Sequence, residues 1–157
     1  MYKKILVPLD GSETAELALE HAIALARAMS AEIILLHVID FASDLFIPKV
    51  GKMRTMEEWS LYRLRIEQAE EEITRYLGAK ANEISQLRVL VSASVVKGYV
   101  VDSIINQARV TRTDLIVIAS HGRSNLKRVF YGSVCSAILQ KVDRPLLVVR
   151  DAPHVEG

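Results

Sequence analysis

Short apolar runs alternate along the chain with longer segments in which apolar residues recur every three or four positions. Branched apolar residues dominate the short runs, which predict strands over residues 5–7, 33–38, 87–91, 115–118 and 146–149. The intervening segments have the apolar spacing of helices, over residues 13–29, 57–81, 99–109 and 133–141. The predicted order is therefore strand and helix in alternation, closed by a fifth strand.

An alternation of this kind is typical of a parallel sheet with helices on both faces, joined by right-handed crossovers. We expect an α/β fold with a single open five-stranded parallel sheet, in one domain over residues 1–157. Ligands bind such sheets outside the carboxyl ends of the strands, where the winding direction reverses. If it reverses after the third strand, the fourth strand lies beside the first, and Asp10 faces the loop of Gly122 across one crevice.

The loop after the fourth predicted strand combines small residues with cations. Residues 119–134 contain three arginine or lysine side chains, Arg123, Lys127 and Arg128, and no acid. Gly122 and Gly132 let backbone N–H groups approach a phosphate closely, and the first amides of a helix have no partner inside the helix. The loop therefore predicts an anion site, with a nucleotide as the leading candidate ligand.

The composition argues against several classes of protein. Half of the 157 residues are hydrophobic, enough for a core without disulfides or metal. Lysine and arginine number 20 against 19 aspartates and glutamates, so the chain lacks the overall field of a general nucleic-acid or membrane-surface binder. The single cysteine, Cys135, excludes an intramolecular disulfide and favours a reducing compartment. The first apolar run stops at Pro8, too early for a signal peptide or membrane span, so we expect a cytoplasmic protein.

Residues 41–56 are apolar but have no regular period. They are too hydrophobic for an inert linker. We interpret them as a long, partly packed loop, which acts either as a flap on the edge of the sheet or as a lid or partner surface.

Four blocks of sequence point to a family. Residues 119–133 resemble the nucleotide-binding signature of the universal stress protein family. In this chain, two residues separate Ala119 from Gly122, and nine more separate Gly122 from Gly132-Ser133. That signature reads glycine, two residues, glycine, nine residues, and glycine followed by serine or threonine. Residues 5–12, 35–38 and 144–149 resemble further blocks of the family in the same order. The likeness covers residues 2–150.

The resemblance implies an adenine-nucleotide-binding, Rossmann-like domain of the HUP type that binds ATP or AMP. By position, the residues near the ribose and adenine would be Pro8, Leu9 and Asp10, with Val38 beside the base. The phosphate loop would comprise Ala119, Ser120, His121, Gly122 and Arg123, closed by Gly132, Ser133 and Val134. Asp10 is also a candidate ligand for Mg²⁺ carried by the phosphates. The family further implies a homodimer joined through the fifth strand, residues 146–149.

One position departs from the signature and keeps other functions open. Ala119 stands where the signature has its first glycine, and a methyl group there would crowd a ligand or restrict the backbone. We favour a nucleotide-binding regulatory module. The alternatives are a protein-interaction module with an empty pocket, for a protein partner that the sequence does not identify, and a slow ATPase or self-phosphorylating protein using Ser120, Ser124 or Ser133. The enzyme ranks last because the sequence has no Walker lysine, kinase catalytic loop or evident pair of metal carboxylates.

Overall fold

Strands and helices alternate from Lys4 to Val149 in the computed structural model, which describes residues 1–40, 55–121 and 132–150. The strands are β1 (Lys4–Pro8), β2 (Glu32–Asp40), β3 (Val91–Gly98), β4 (Leu115–Ala119) and β5 (Leu146–Val149). The helices are α1 (Glu13–Met29), α2 (Met56–Gln86), α3 (Val100–Val110) and α4 (Ser133–Lys141). The predicted loop over residues 41–56 lies outside the described residues, except for Thr55 and Met56, which cap and begin α2.

The five strands form one parallel sheet in the order β3-β2-β1-β4-β5. The chain winds outward from β1 to β3 and then returns to place β4 on the other side of β1. The predicted fold class and the predicted reversal after the third strand are therefore confirmed. This reversal makes the carboxyl ends of β1 and β4 the switch point of the sheet.

Both faces of the sheet are buried, which explains why the central strands are continuously apolar. Ile5, Val7 and Val117 belong to a cluster that also takes in α1 and α2. Leu6 and Ile116 belong to a second cluster, which includes Ile104 of α3 and Ile138 of α4. Successive residues of a strand point to opposite faces, so each strand supplies both clusters.

The predicted third strand was wrong in its position. Residues 87–90 form the turn between α2 and β3: Leu87 is the C-cap of α2, Arg88 has a φ of +59°, and Leu90 is 75% exposed. The strand itself runs from Val91 to Gly98, paired along its length with β2 from Ile33 to Asp40. The prediction was misplaced because residues 87–91 are as apolar as a typical strand, whereas β3 itself contains serines and a lysine among its apolar residues.

The apolar residues whose spacing predicts a helix over residues 57–81 are buried only in part. Among them, Leu77 is 1% exposed, but Trp59, near the start of the helix, is 41% exposed. Ile73 packs against the first cluster from the edge of the core. Helical spacing therefore identified the face of α2 that meets the sheet, but not where along the helix that contact ends.

Candidate functional site

The turn between β1 and α1 is held by side-chain hydrogen bonds. Asp10 Oδ1 accepts from the backbone N–H of Ser12 at 2.9 Å and from its hydroxyl at 2.5 Å. Ser12 Oγ in turn accepts from the N–H of Ala15 at 3.2 Å, which makes Ser12 the N-cap of α1. Gly11, between them, has a φ of +80°, a conformation that glycine adopts without steric cost. Asp10 is thus fixed at the carboxyl end of β1.

The end of β4 is buried and turned toward β5. Ala119 is 6% exposed and Ser120 is 1% exposed. The N–H of Ser120 donates to the carbonyl oxygen of Val149 at 2.7 Å. Ser120 Oγ lies 2.9 Å from Nδ1 of His121. Within the described part of the chain, the buried Nε2 of His121 has no hydrogen-bond partner. Buried polar atoms are usually hydrogen-bonded, so this nitrogen is a candidate for contact with a ligand.

The start of α4 lies directly against the end of β4. The N–H of Gly132 donates to the carbonyl oxygen of Ser120 at 2.7 Å. Gly132 is the N-cap of α4, and no side chain caps this helix. The first backbone hydrogen bond of the helix runs from Ser136 to Gly132, which leaves the amides of Ser133 and Val134 without an intrahelical acceptor. Amides in this position are the groups with which helix termini bind anions in other proteins.

The carboxyl ends of β1 and β4 separate although the two strands are neighbours. Their pairing joins Ile5 to Leu115 and Leu6 to Ile116. Beyond it, β1 stays paired with β2 as far as Pro8 and Leu36, and β4 stays paired with β5 as far as Ala119 and Val149. The strands diverge toward different partners, as expected where the winding of a parallel sheet reverses.

The structure brings both groups of predicted site residues to this edge of the sheet. Pro8, Leu9 and Asp10 lie at the end of β1, and Val38 lies near the end of β2, on the face covered by α3 and α4. Ala119, Ser120 and His121 end β4, and Gly132, Ser133 and Val134 begin α4. Gly122 and Arg123 lie outside the described residues, as do Lys127 and Arg128.

Ala119 fits the backbone without strain. It lies inside β4, paired with Val149, and it is not among the described residues with positive φ outside glycine, which are Ser30, Arg88 and Arg112. Its side chain belongs to the first hydrophobic cluster, with the alanines of α1. The methyl group of Ala119 therefore packs into the core rather than into the gap between β1 and β4.

Cys135 is a packing residue. It lies in the first turn of α4 but is only 2% exposed and belongs to the second hydrophobic cluster. Burial raises the pKa of its thiol, since the charged thiolate is disfavoured away from water. The terminus of α4 thus presents backbone amides and not a reactive sulfur.

A polar cluster beside the site was missed by the sequence reasoning. Glu16, in the first turn of α1, accepts a hydrogen bond from the hydroxyl of Tyr76 at 2.9 Å and one from Lys80 Nζ at 3.0 Å. Burial and then the Glu16 carboxylate raise the pKa of Tyr76, and the charge of Asp10 adds to this effect. Nothing in the sequence links Glu16 to residues so far along the chain, because a helical period does not specify which neighbour a helix meets.

Among the described residues, no three histidine, cysteine, aspartate or glutamate side chains lie close enough together to bind a metal ion. Over the same ranges, no helix is long and apolar enough to cross a membrane.

The fold and the two converging loops define a doubly wound α/β protein, and comparison with known proteins identifies its family. The profile of the universal stress protein family matches residues 1–150. Universal stress protein MJ0577 of Methanocaldococcus jannaschii is 35% identical over 157 residues, which cover 96% of each chain. The chain belongs to the universal stress protein family.

Solved structures agree with this fold. The structure of hypothetical protein MJ0577 has a TM-score of 0.81 at 33% identity, covering 98% of this chain and 99% of that one. A universal stress protein from Archaeoglobus fulgidus, solved in complex with dAMP, has a TM-score of 0.61 at 21% identity, covering 94% of this chain and 97% of that one. Another universal stress protein, solved in complex with cAMP, has a TM-score of 0.61 at 19% identity, covering 96% and 98%.

Proposed function

We propose that this protein binds an adenine nucleotide, ATP or AMP, between the loops that follow β1 and β4, and acts as a regulatory protein in the stress response. The observation that carries the proposal is the divergence of these two strands: their mutual pairing ends at Leu6 and Ile116, while β1 stays paired with β2 to Pro8 and β4 with β5 to Ala119. A nucleotide placed there meets the start of α4 on one side and the turn of Asp10 on the other.

The phosphates would bind at the start of α4. The amides of Ser133 and Val134 have no acceptor within the helix, and the positive end of the helix dipole favours an anion. His121 supplies a buried ring nitrogen that lacks a partner among the described residues. We assign Ala119, Ser120, His121, Gly122 and Arg123 to the first part of the phosphate loop, and Gly132, Ser133 and Val134 to its end.

The nucleoside would bind on the side of β1 and β2. Pro8 and Val38, which are half-buried, offer apolar surface for the base, and Asp10 offers a carboxylate for a ribose hydroxyl. The side chain of Leu9 is buried in the first cluster, so Leu9 would contribute through its backbone. A carboxylate accepts up to about four hydrogen bonds, and two of those on Asp10 come from Ser12. Mg²⁺ would arrive with the phosphates, because the described side chains offer no group of ligands for an ion of their own.

Related proteins support the class of ligand. The two universal stress proteins solved with dAMP and cAMP share this fold and hold adenine nucleotides. We extend to this chain the adenine nucleotide as a class, and propose ATP or AMP because residues 119–133 resemble the family's nucleotide-binding signature.

We further propose a cytoplasmic homodimer joined through β5. This strand lies at the edge of the sheet, and Leu146, Leu147 and Val148 are only partly buried within one chain. An apolar edge strand has unpaired backbone groups that a second copy would satisfy. Light scattering at micromolar concentration should give at least twice the mass of the chain, whereas the mass of one chain would overturn the dimer.

Calorimetric titration tests the nucleotide proposal. ATP and AMP should release or absorb heat with saturation, and GTP should bind more weakly because its base presents different hydrogen-bonding groups. A Gly122→Val variant should lose this binding while its circular dichroism stays unchanged, since the side chain would block the approach of backbone amides to phosphate. Absence of heat with every nucleotide at millimolar concentration would favour the protein-interaction module instead.

A further inference from the structure

The first half of α2 lies outside the two hydrophobic clusters formed by the described residues. We call residues 56–69 the α2 arm. Within the described chain, the two hydrophobic clusters take no residue of α2 before Ile73, and the fully buried residues of this helix are Leu77 and Ile84. The helix of 31 residues spans about 46 Å, whereas β2, with nine, spans about 30 Å. The helix is longer than the sheet that it covers.

The α2 arm carries apolar side chains on its outer side. Leu61 is 56% exposed, Leu64 is 49% exposed and Met56 is 81% exposed. By helical geometry, Leu61 and Leu64 lie on the side away from Leu77, which faces the sheet. A groove of about 470 Å³ beside them is lined by Met56, Glu57, Ser60 and Leu61. Exposed leucines at this density indicate a contact surface rather than a solvated face.

The row of residues on this surface is symmetric. Glu57, Leu61, Leu64 and Gln68 follow one another at spacings of four, three and four residues. This row reads the same in both directions, with two leucines at the centre and a polar residue at each end. Such a row can pair with itself around a twofold axis, because each leucine then meets the other leucine of a second copy.

We propose that the α2 arm pairs with the α2 arm of a second copy of this chain, in antiparallel orientation around the midpoint between Leu61 and Leu64. Leu61 then packs against the partner's Leu64. Arg65 of each copy lies beside the acidic first turn of the other, which carries Glu57 and Glu58. The arm therefore carries both members of the charge pair that this antiparallel contact joins.

The charges of this surface are available for such a contact. Glu57 and Arg65 make no ion pair with any described residue of their own chain, and both are exposed. The shallow groove at the first turn lies beside Leu61, where the opposing helix would pack. This contact lies on the β3 side of the sheet, so it is separate from the proposed pairing of β5 strands at the other edge.

Cross-linking between two single-site variants tests the proposal. Chains with Leu61→Cys are mixed with differently sized tagged chains carrying Leu64→Cys and then oxidised. Native Cys135 is buried and stays silent in this assay. The matched control replaces Leu61→Cys by Ala79→Cys, an exposed position on the same helix that lies outside the arm. We expect a mixed disulfide with Leu61→Cys and none above background with Ala79→Cys.

Charge reversal provides a second experiment. Arg65→Glu in both chains should abolish the mixed disulfide, because it places an acid beside the partner's Glu57. Adding Glu57→Lys should restore it. These positions are exposed, so circular dichroism should be the same for every variant. Equal cross-linking of Leu61→Cys and the Ala79→Cys control, or no response to Arg65→Glu, would overturn the antiparallel pair and leave the surface to a different partner.

Discussion

The N–H of Gly132 donates a hydrogen bond to the carbonyl oxygen of Ser120 at 2.7 Å, and this bond closes the loop between β4 and α4. A Cβ atom added to Gly132 would lie 3.3 Å from that oxygen and 3.6 Å from Cα of His121. The glycine is therefore required by the close approach of two backbone segments. This packing sets the position of α4 relative to β4, and with it the direction of the amides of Ser133 and Val134.

Gly132→Ala should disturb this contact. The added methyl must push the Ser120 carbonyl aside by a few tenths of an ångström, so we expect nucleotide affinity to fall about tenfold and the free energy of unfolding to fall by about 1 kcal/mol. Gly78→Ala is the matched control, because a Cβ there meets nothing within 4 Å. Within α2 it should raise stability by about 0.5–1 kcal/mol and leave affinity unchanged. Equal behaviour of the two variants in chemical denaturation and calorimetry would contradict this reasoning.

Ser133→Asp should move stability and affinity in opposite directions. A carboxylate in the first turn of α4 interacts favourably with the helix dipole, worth about 0.3–1 kcal/mol in the free protein. The same charge repels a phosphate at that terminus, so nucleotide affinity should fall by at least about tenfold. Denaturation without ligand and calorimetry with ATP measure the two effects. Unchanged affinity would place the phosphates elsewhere, and Ser133→Ala serves as the uncharged control.

Ala119→Gly should cost stability without improving binding. The methyl group of Ala119 packs with α1 in the first cluster, and glycine adds backbone entropy to the unfolded chain. We expect a loss of about 1–2 kcal/mol in the free energy of unfolding and a change in nucleotide affinity of less than about threefold. A large gain in affinity would show that the methyl group obstructs the ligand after all.

The Glu16 cluster predicts a loss of stability in acid. Burial alone would raise the pKa of Glu16, but hydrogen bonds from Lys80 and Tyr76 outweigh it and hold the pKa below the ordinary value of 4.5. The ionised carboxylate thus stabilises the fold above about pH 4.5, and this contribution disappears as the pH falls through the lowered pKa.

Thermal unfolding between about pH 3 and pH 7 measures this contribution. Glu16→Gln should lower stability at neutral pH by less than about 1 kcal/mol, since the carboxylate is partly solvated, and should converge with the wild type in acid. Tyr76→Phe removes one of the two hydrogen bonds and should show a smaller form of the same behaviour. A constant difference between Glu16→Gln and the wild type across this range would contradict the assignment.

The sequence could predict the sheet, and the sheet edge at which the candidate site residues lie, because both depend on local pattern. Helices α1 and α4 and strand β5 have the predicted bounds, since cap residues, Pro145 and clean apolar spacing mark their ends. The order of the strands follows from chain reversal and helix packing, which the alternation of elements already implies. Asp10 and Gly132 therefore came to the same edge of the sheet as expected.

Features that depend on particular neighbours were not predictable. The start of β3 was misplaced because it is an edge strand, where polar residues such as Ser92 are tolerated on the exposed side. The contact between Glu16 and Tyr76 depends on how α1 and α2 lie against each other across the first cluster. The orientation of Ala119 toward the core depends on the register of β4, which one residue of slip would reverse.

Amide chemical shifts of isotopically labelled protein, followed by nuclear magnetic resonance during titration with ATP, test the central claim most directly. The account predicts that the largest shifts appear together at Leu9 and Asp10, after β1, and at Gly132, Ser133 and Val134, at the start of α4. Shifts confined to only one of these loops, or concentrated at the amino ends of the strands, would contradict a nucleotide held where β1 and β4 part.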